Sequence, residues 1–254
     1  MINMQPGIRC SLLNILLFIS GISFGFQKNV NAQEKVTFPA TDSLIVTADF
    51  YRSSSDNPYI ILTHQAGFSR GEFIETAPRL VKLGYNCLAV DLRAGDQVNY
   101  IKDETSRRAR KGGTSQTLLD SKKDISGAIN YAYSRSGKPV ILLGSSYSAS
   151  LDLLLAKDNS KIKAVIAFSP GEFFPGVEVN NEIEGLSKPL FIGTTKDELP
   201  YTKKILRNVE SRYYTLFTPS GDGSHGSKAL WLSSPQSEEY WLALMMFINK
   251  LKGN

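Results

Sequence analysis

The chain has 254 residues and a formal net charge of +5. That length suits one domain with a sizeable core, and so mild a charge argues for neither a nucleic-acid partner nor a charged membrane surface. No repeat, low-complexity tract or interdomain linker appears along it.

Met1 to Arg9 carries one positive charge and no acid, Leu12 to Phe26 is apolar with a small-residue break at Ser20-Gly21, and Val30-Asn31-Ala32 supplies small residues. This layout predicts a cleavable secretory signal over residues 1–32, cut after Ala32. The expected product, residues 33–254, is one exported domain, periplasmic or secreted. The apolar stretch is short of the ~20 residues of a spanning helix, so no stable membrane insertion is expected. Cys10 precedes the apolar region, on the wrong side for lipid attachment. Cys87 then remains alone inside the apolar run Cys87 to Val90, where a buried, inert thiol is expected.

From there strand-like and helix-like segments alternate. Asp42 to Tyr51 alternates apolar residues and pairs with Lys35 to Phe38 as an opening hairpin. A strand ends at Thr63, an amphipathic helix containing Pro78 covers Gly71 to Leu83, and a further strand precedes Asp91. Arg93 to Thr117 is a long polar connection with Arg107, Arg108, Arg110 and Lys111, read as a solvated basic loop. Leu118 to Ser134 reads as a helix, Val140 to Leu143 as a buried strand, Leu151 to Ala156 as a helix and Ser160 to Phe168 as a strand. Phe173 to Leu186 is too short for a cap domain, so the lid is small or absent. Strands at Pro189 to Gly193 and Tyr213 to Phe217 precede a helix, Pro235 to Leu251. On that helix Tyr240, Trp241, Leu244, Phe247 and Ile248 recur at helical spacing as a core stripe. The class is α/β: a mostly parallel central sheet with helices on both faces.

Gly144-Ser145-Ser146-Tyr147-Ser148 joins the strand ending at Leu143 to a helix. A strand, a tight turn of small residues and a helix form the context in which a serine hydroxyl is raised above a sheet edge as a nucleophile, here Ser146. A serine cap joining strand to helix has the same composition, so the pentapeptide alone leaves both readings open. The acids and histidines decide. His225 lies in the glycine-rich Ser220 to Gly226 loop, and Asp197 follows the strand ending at Gly193. The chain order Ser146, Asp197, His225, each member just after a strand, is that of one serine-triad architecture and differs from the His-Asp-Ser and Asp-His-Ser orders of two others.

From Leu44 to the C-terminus the chain resembles the α/β-hydrolase superfamily, most closely its small serine esterases of the dienelactone-hydrolase type. Ile60 to Gly67 is similar to the strand and His-Gly-x-Gly loop of the oxyanion hole, Leu88 to Arg93 to a V-D-x-R segment, and Gly193 to Asp197 to the loop carrying the acid. Gln65 stands where that family has glycine, and Ser148 replaces the last elbow glycine. The resemblance implies a triad of Ser146, Asp197 and His225. Glu198, adjacent, is the other candidate acid, but the family spacing favours Asp197. Oxyanion donors would be the backbone N–H groups of Tyr147 and of Ala66 or Gln65. His64, the rival to His225 as base, would by the family's pattern instead fix the oxyanion loop or border the pocket. Glu172 would overlook the pocket or serve as a loop carboxylate, and Asp91 and Asp96 would be loop acids. The expected reaction is hydrolysis of a small-molecule carboxylic ester or lactone through an acyl-serine, with no metal or organic cofactor. A peptidase or acyltransferase with the same triad, or a scaffold retained for binding, are the alternatives.

Overall fold

A computed structural model describes residues 1–2 and 33–253. The expected leader, residues 1–32, falls almost wholly outside the described residues. Among them no helix is long and apolar enough to cross a membrane.

The opening hairpin is β1 (Gln33–Pro39) with β2 (Ile45–Tyr51), antiparallel, with Lys35 opposite Asp49. There follow β3 (Tyr59–Thr63), a 3-10 turn (Arg70–Phe73), α1 (Thr76–Lys82) and β4 (Asn86–Val90). Pro78 sits in the first turn of α1, where its missing N–H costs no helical hydrogen bond. After the connection come α3 (Ser121–Ser136), β7 (Val140–Ser145), α4 (Tyr147–Ala156), β8 (Ile162–Phe168), α5 (Val179–Glu182), β9 (Leu190–Gly193), α6 (Leu199–Ile205), β10 (Tyr214–Phe217) and α7 (Ser237–Lys252).

The expected basic loop is folded. Residues 97–102 form a small antiparallel hairpin, β5 (Gln97–Val98) and β6 (Ile101–Lys102), and α2 (Glu104–Lys111) follows. Asp103 caps α2 by accepting the Ser106 N–H at 2.6 Å, and Arg108 donates to Ile45 O and Thr47 Oγ1 of β2. The arginine run is the outer face of a helix docked on the sheet.

Eight strands run in the order β1-β2-β4-β3-β7-β8-β9-β10. The six from β4 to β10 are parallel, and β2 joins them antiparallel to β4. Strand periodicity sorts the core into two layers. Tyr59 and Ile61 face α3 and α4 with Ile125, Ile129 and Leu153. Ile60 and Leu62 face the other way, with Leu80 of α1 and Trp241, Leu244 and Ile248 of α7. In the 173–186 segment, Phe174, Val179, Ile183 and Leu186 pack into the first layer, so this stretch is folded down as core. Buried on both faces, the parallel strands end in a row, and the loops after β3, β7, β9 and β10 lie along one edge of the sheet.

Candidate active site

β7 ends in a turn too sharp for ordinary residues. Ser146 has φ 59° and ψ −122°, a conformation that costs an L-residue about 1–3 kcal/mol and survives only where its surroundings enforce it. Gly144 makes the turn possible, since a Cβ there would lie 2.5 Å from the Ala149 Cα of α4. Ser148, the departure from glycine, is used as a brace. Its Oγ accepts the Ser145 N–H at 3.0 Å and donates to Thr63 O at 2.7 Å, tying the turn to β3.

His225 brings its Nε2 to 2.9 Å from Ser146 Oγ, and its Nδ1 lies 2.5 Å from a carboxylate oxygen. That oxygen belongs to Glu198, not to the expected Asp197, whose side chain is exposed to solvent. The reason is local. Thr195-Lys196-Asp197-Glu198 closes a reciprocal capping box: Thr195 N–H donates to Glu198 Oε2 at 3.1 Å and Glu198 N–H to Thr195 Oγ1 at 3.2 Å. Glu198 is thereby folded back over the turn toward His225, while Asp197 points outward. The Thr-x-x-Glu spacing was the signal in the sequence that could have identified it.

Burial opposes ionisation of Glu198, but hydrogen bonds from His225, Ser169 and the Thr195 N–H outweigh it and pull its carboxyl down to about 2. An ionised Glu198 only accepts, so Nδ1 carries the imidazole proton and the Nε2 lone pair faces the Ser146 hydroxyl. Ser169 holds the arrangement from behind, donating to Glu198 Oε2 at 2.7 Å and accepting the Gly226 N–H at 2.9 Å. The His225 side chain is 43% exposed, so its ring is open to solvent.

Of the expected oxyanion donors, Gln65 is committed elsewhere: its N–H donates to Glu72 Oε2 at 2.9 Å. The N–H groups of Ala66 and Tyr147 meet no acceptor among the described residues. Tyr147 opens α4, where the first N–H groups have no intrahelical partner. His64 is fully buried beneath the loop, with Nδ1 2.8 Å from Gln65 O and Nε2 accepting the Leu92 N–H at 2.9 Å. It fixes the loop and is no part of the Ser146 chain. Glu172 accepts the N–H groups of Val179 and Asn180, capping α5, and lines a surface cavity with Tyr201 and Lys204.

His64, Asp91 and Asp103 bring ligand-type atoms within 4.8 Å of one another. Asp91 Oδ1 already accepts the Arg70 N–H, and its Oδ2 accepts the Arg70 guanidinium and the Glu104 N–H. His64 Nε2 accepts the Leu92 N–H and lies 3.2 Å from Asp103 Oδ2, and Asp103 Oδ1 accepts the Ser106 N–H, so most of these atoms are engaged in holding the loop. Asp96 is exposed, 4.0 Å from Arg110.

A central sheet flanked on both faces, with a nucleophile-type elbow after one parallel strand, is the α/β-hydrolase architecture. Solved structures share it at low identity, which speaks to fold alone. An esterase of Pyrococcus furiosus is 16% identical, with TM-score 0.63 over 87% of this chain and 93% of its own. A dienelactone hydrolase of Anabaena variabilis is 13% identical, with TM-score 0.61 over 86% and 96%. The acylaminoacyl peptidase of Pyrococcus horikoshii, 14% identical with TM-score 0.61, matches 88% of this chain but only 42% of its own. No curated protein matches the sequence. The dienelactone hydrolase family profile matches residues 48–211. The chain belongs to that family, whose members are hydrolases acting on ester bonds. His225 lies beyond the matched stretch.

Proposed function

We propose that the protein is an exported serine hydrolase that cleaves small carboxylic esters or lactones through an acyl-serine intermediate. The observation carrying this reading is the hydrogen-bonded chain Ser146–His225–Glu198 at a strained elbow. Ser146 Oγ attacks the ester carbonyl as its proton passes to His225 Nε2. Glu198 stabilises the imidazolium and keeps its ring oriented. The oxyanion is received by the N–H groups of Ala66 and Tyr147, each typically worth ~3 kcal/mol in the transition state. Collapse expels the alcohol, which takes the proton from His225. Water, deprotonated by the same nitrogen, then releases the acid and restores the serine. The open surroundings of His225 and the absence of a cap over residues 173–186 favour small esters. Export is supported by the leader-like sequence of residues 1–32.

The test is labelling of the purified domain by a fluorophosphonate, with p-nitrophenyl acetate turnover in parallel, for wild type and Ser146→Ala. Labelling and turnover lost together in the variant are expected. A folded wild type that neither labels nor turns over would overturn the hydrolase reading and leave a binding scaffold. Export is checked by N-terminal sequencing of the mature protein, which should begin at Gln33.

A further inference from the structure

Glu72 is the buried ionisable group that the reaction above leaves unused. It sits in the 3-10 turn after β3 with no exposed surface. Three donors converge on its carboxylate. Oε1 accepts the Ser145 hydroxyl at 2.7 Å and the Ser227 hydroxyl at 2.6 Å, while Oε2 accepts the Gln65 N–H at 2.9 Å. Ser145 Oγ in turn accepts the Ser227 N–H at 2.8 Å, and the carbonyl of Glu72 accepts Trp231 Nε1–H at 2.8 Å.

The donors come from three separate loops, and each is a near neighbour of a reacting group. Gln65 precedes Ala66, Ser145 precedes Ser146, and Ser227 stands two residues after His225. The loops pack tightly around this point: a Cβ on Gly226 would lie 2.5 Å from Ser145 Oγ and 2.9 Å from Gln65 Oε1. An acceptor-only group with two oxygens satisfies all three donors at once, whereas an amide would turn an NH2 against at least one of them. A buried carboxylate is costly to place, since burial pushes the Glu72 carboxyl up against the pull of its three hydrogen bonds. A fold that only needed filling here could use an apolar side chain.

We infer that Glu72 is a positioning residue for the hydrolysis: its carboxylate holds the oxyanion loop, the nucleophile elbow and the histidine loop in one register. This rests on the serine-hydrolase reading above. Reacting groups must be held to within about 0.5 Å, and a shift of about 1 Å caused from a distance can cost ~10²-fold in rate. Gln65 carries this constraint as well, because its N–H anchors the loop to Glu72 and leaves the next N–H, that of Ala66, to face substrate.

The experiment is steady-state turnover of p-nitrophenyl acetate by wild type, Glu72→Gln, Ser227→Ala and the double variant. Near-UV circular dichroism sets the folded fraction of each. Glu72→Gln should fold and lose ~10²-fold in kcat with KM changed by no more than about twofold, because the lost interaction concerns alignment and not substrate contact. Ser227→Ala should lose about tenfold, and the double variant should be no worse than Glu72→Gln alone, since both act through one contact. A folded Glu72→Gln with wild-type kcat, or a loss explained wholly by its unfolded fraction, would overturn the inference, as would additive effects in the double variant. Should Glu72→Gln fail to fold, Ser145→Ala and Ser227→Ala address the same oxygen, and wild-type kcat in both overturns it. A wild type without turnover is the separate failure of the hydrolase reading, and this inference falls with it.

Discussion

Two adjacent acids, Asp197 and Glu198, differ in what holds them, and that difference should appear in kinetics. Glu198→Gln keeps the shape but removes the charge facing His225 Nδ1, and kcat should fall by up to ~10⁴-fold. Asp197→Asn, on an exposed side chain, should leave kcat within about twofold of wild type in the same assay. Behind the elbow, Asp152 is fully buried. Its Oδ2 lies 2.9 Å from Thr63 Oγ1, its Oδ1 has no partner among the described residues, and burial holds its carboxyl well above the usual range. Thr63 donates to Oδ2, a pull that is weaker than the cost of burial. Because the folded state resists ionisation more than the unfolded one, Asp152 lowers stability progressively as pH rises above about 3.8, its ordinary value. Asp152→Asn should therefore raise Tm near about pH 8 and lose that advantage below about pH 3.8, a trend that thermal melts across pH can reject.

At the scale of elements, the elbow depends on how closely α4 approaches β7. Gly144→Ala would set a methyl 2.5 Å from the Ala149 Cα, where backbone and not a flexible side chain must yield. The variant should lose at least ~1–3 kcal/mol in urea unfolding, and its residual activity should fall further than its stability because Ser146 moves with the turn. The same neighbourhood explains Ser148. Glycine would relieve crowding, but serine here connects the turn to β3 through the Ser145 N–H and Thr63 O. The segment from Arg93 to Thr117 shows the opposite lesson. Its polar, arginine-rich sequence reads as a loop, yet Asp103 caps a helix whose Thr105 Oγ1 accepts the Thr47 N–H of β2 at 2.9 Å. Thr105, Ser106 and Ala109 are its buried face, too small and polar to register as a core stripe.

Across the whole molecule, Arg93 ties together parts far apart in sequence. Fully buried after β4, it pairs with Asp124 of α3 at 2.8 Å and with Asp42 of the opening turn at 2.7 Å. Arg93→Met would leave the Asp124 carboxylate buried without its cation, and should cost ~3–5 kcal/mol in denaturant unfolding. Asp42→Asn, at a partly exposed partner, should cost ~1 kcal/mol or less; equal losses for the two would contradict this assignment. The candidate active site is assembled on the same principle. Gln65, Ser146, Glu198 and His225 arrive from the ends of β3, β7, β9 and β10, and Glu72 and Ser169 join them from beneath.

Short apolar runs, with alternation in the opening hairpin, placed the strands, and the small residues around Ser146 marked the elbow; the motifs shared with the dienelactone hydrolase family marked a hydrolase. All of these depend on near neighbours in the chain, so they were legible in the sequence. The structure decided what depends on direction. Thr195 and Ser169 turn Glu198 and not Asp197 toward His225, and Glu72 takes the Gln65 N–H, leaving that of Ala66 without an acceptor among the described residues. Residue type and spacing bring a carboxylate or an amide to a loop. Which way it points is set by hydrogen bonds. Some are as near in the chain as Thr195 to Glu198 and Gln65 to Glu72; others, such as Ser169 and His225 to Glu198, form only once the sheet has gathered its loops along one edge.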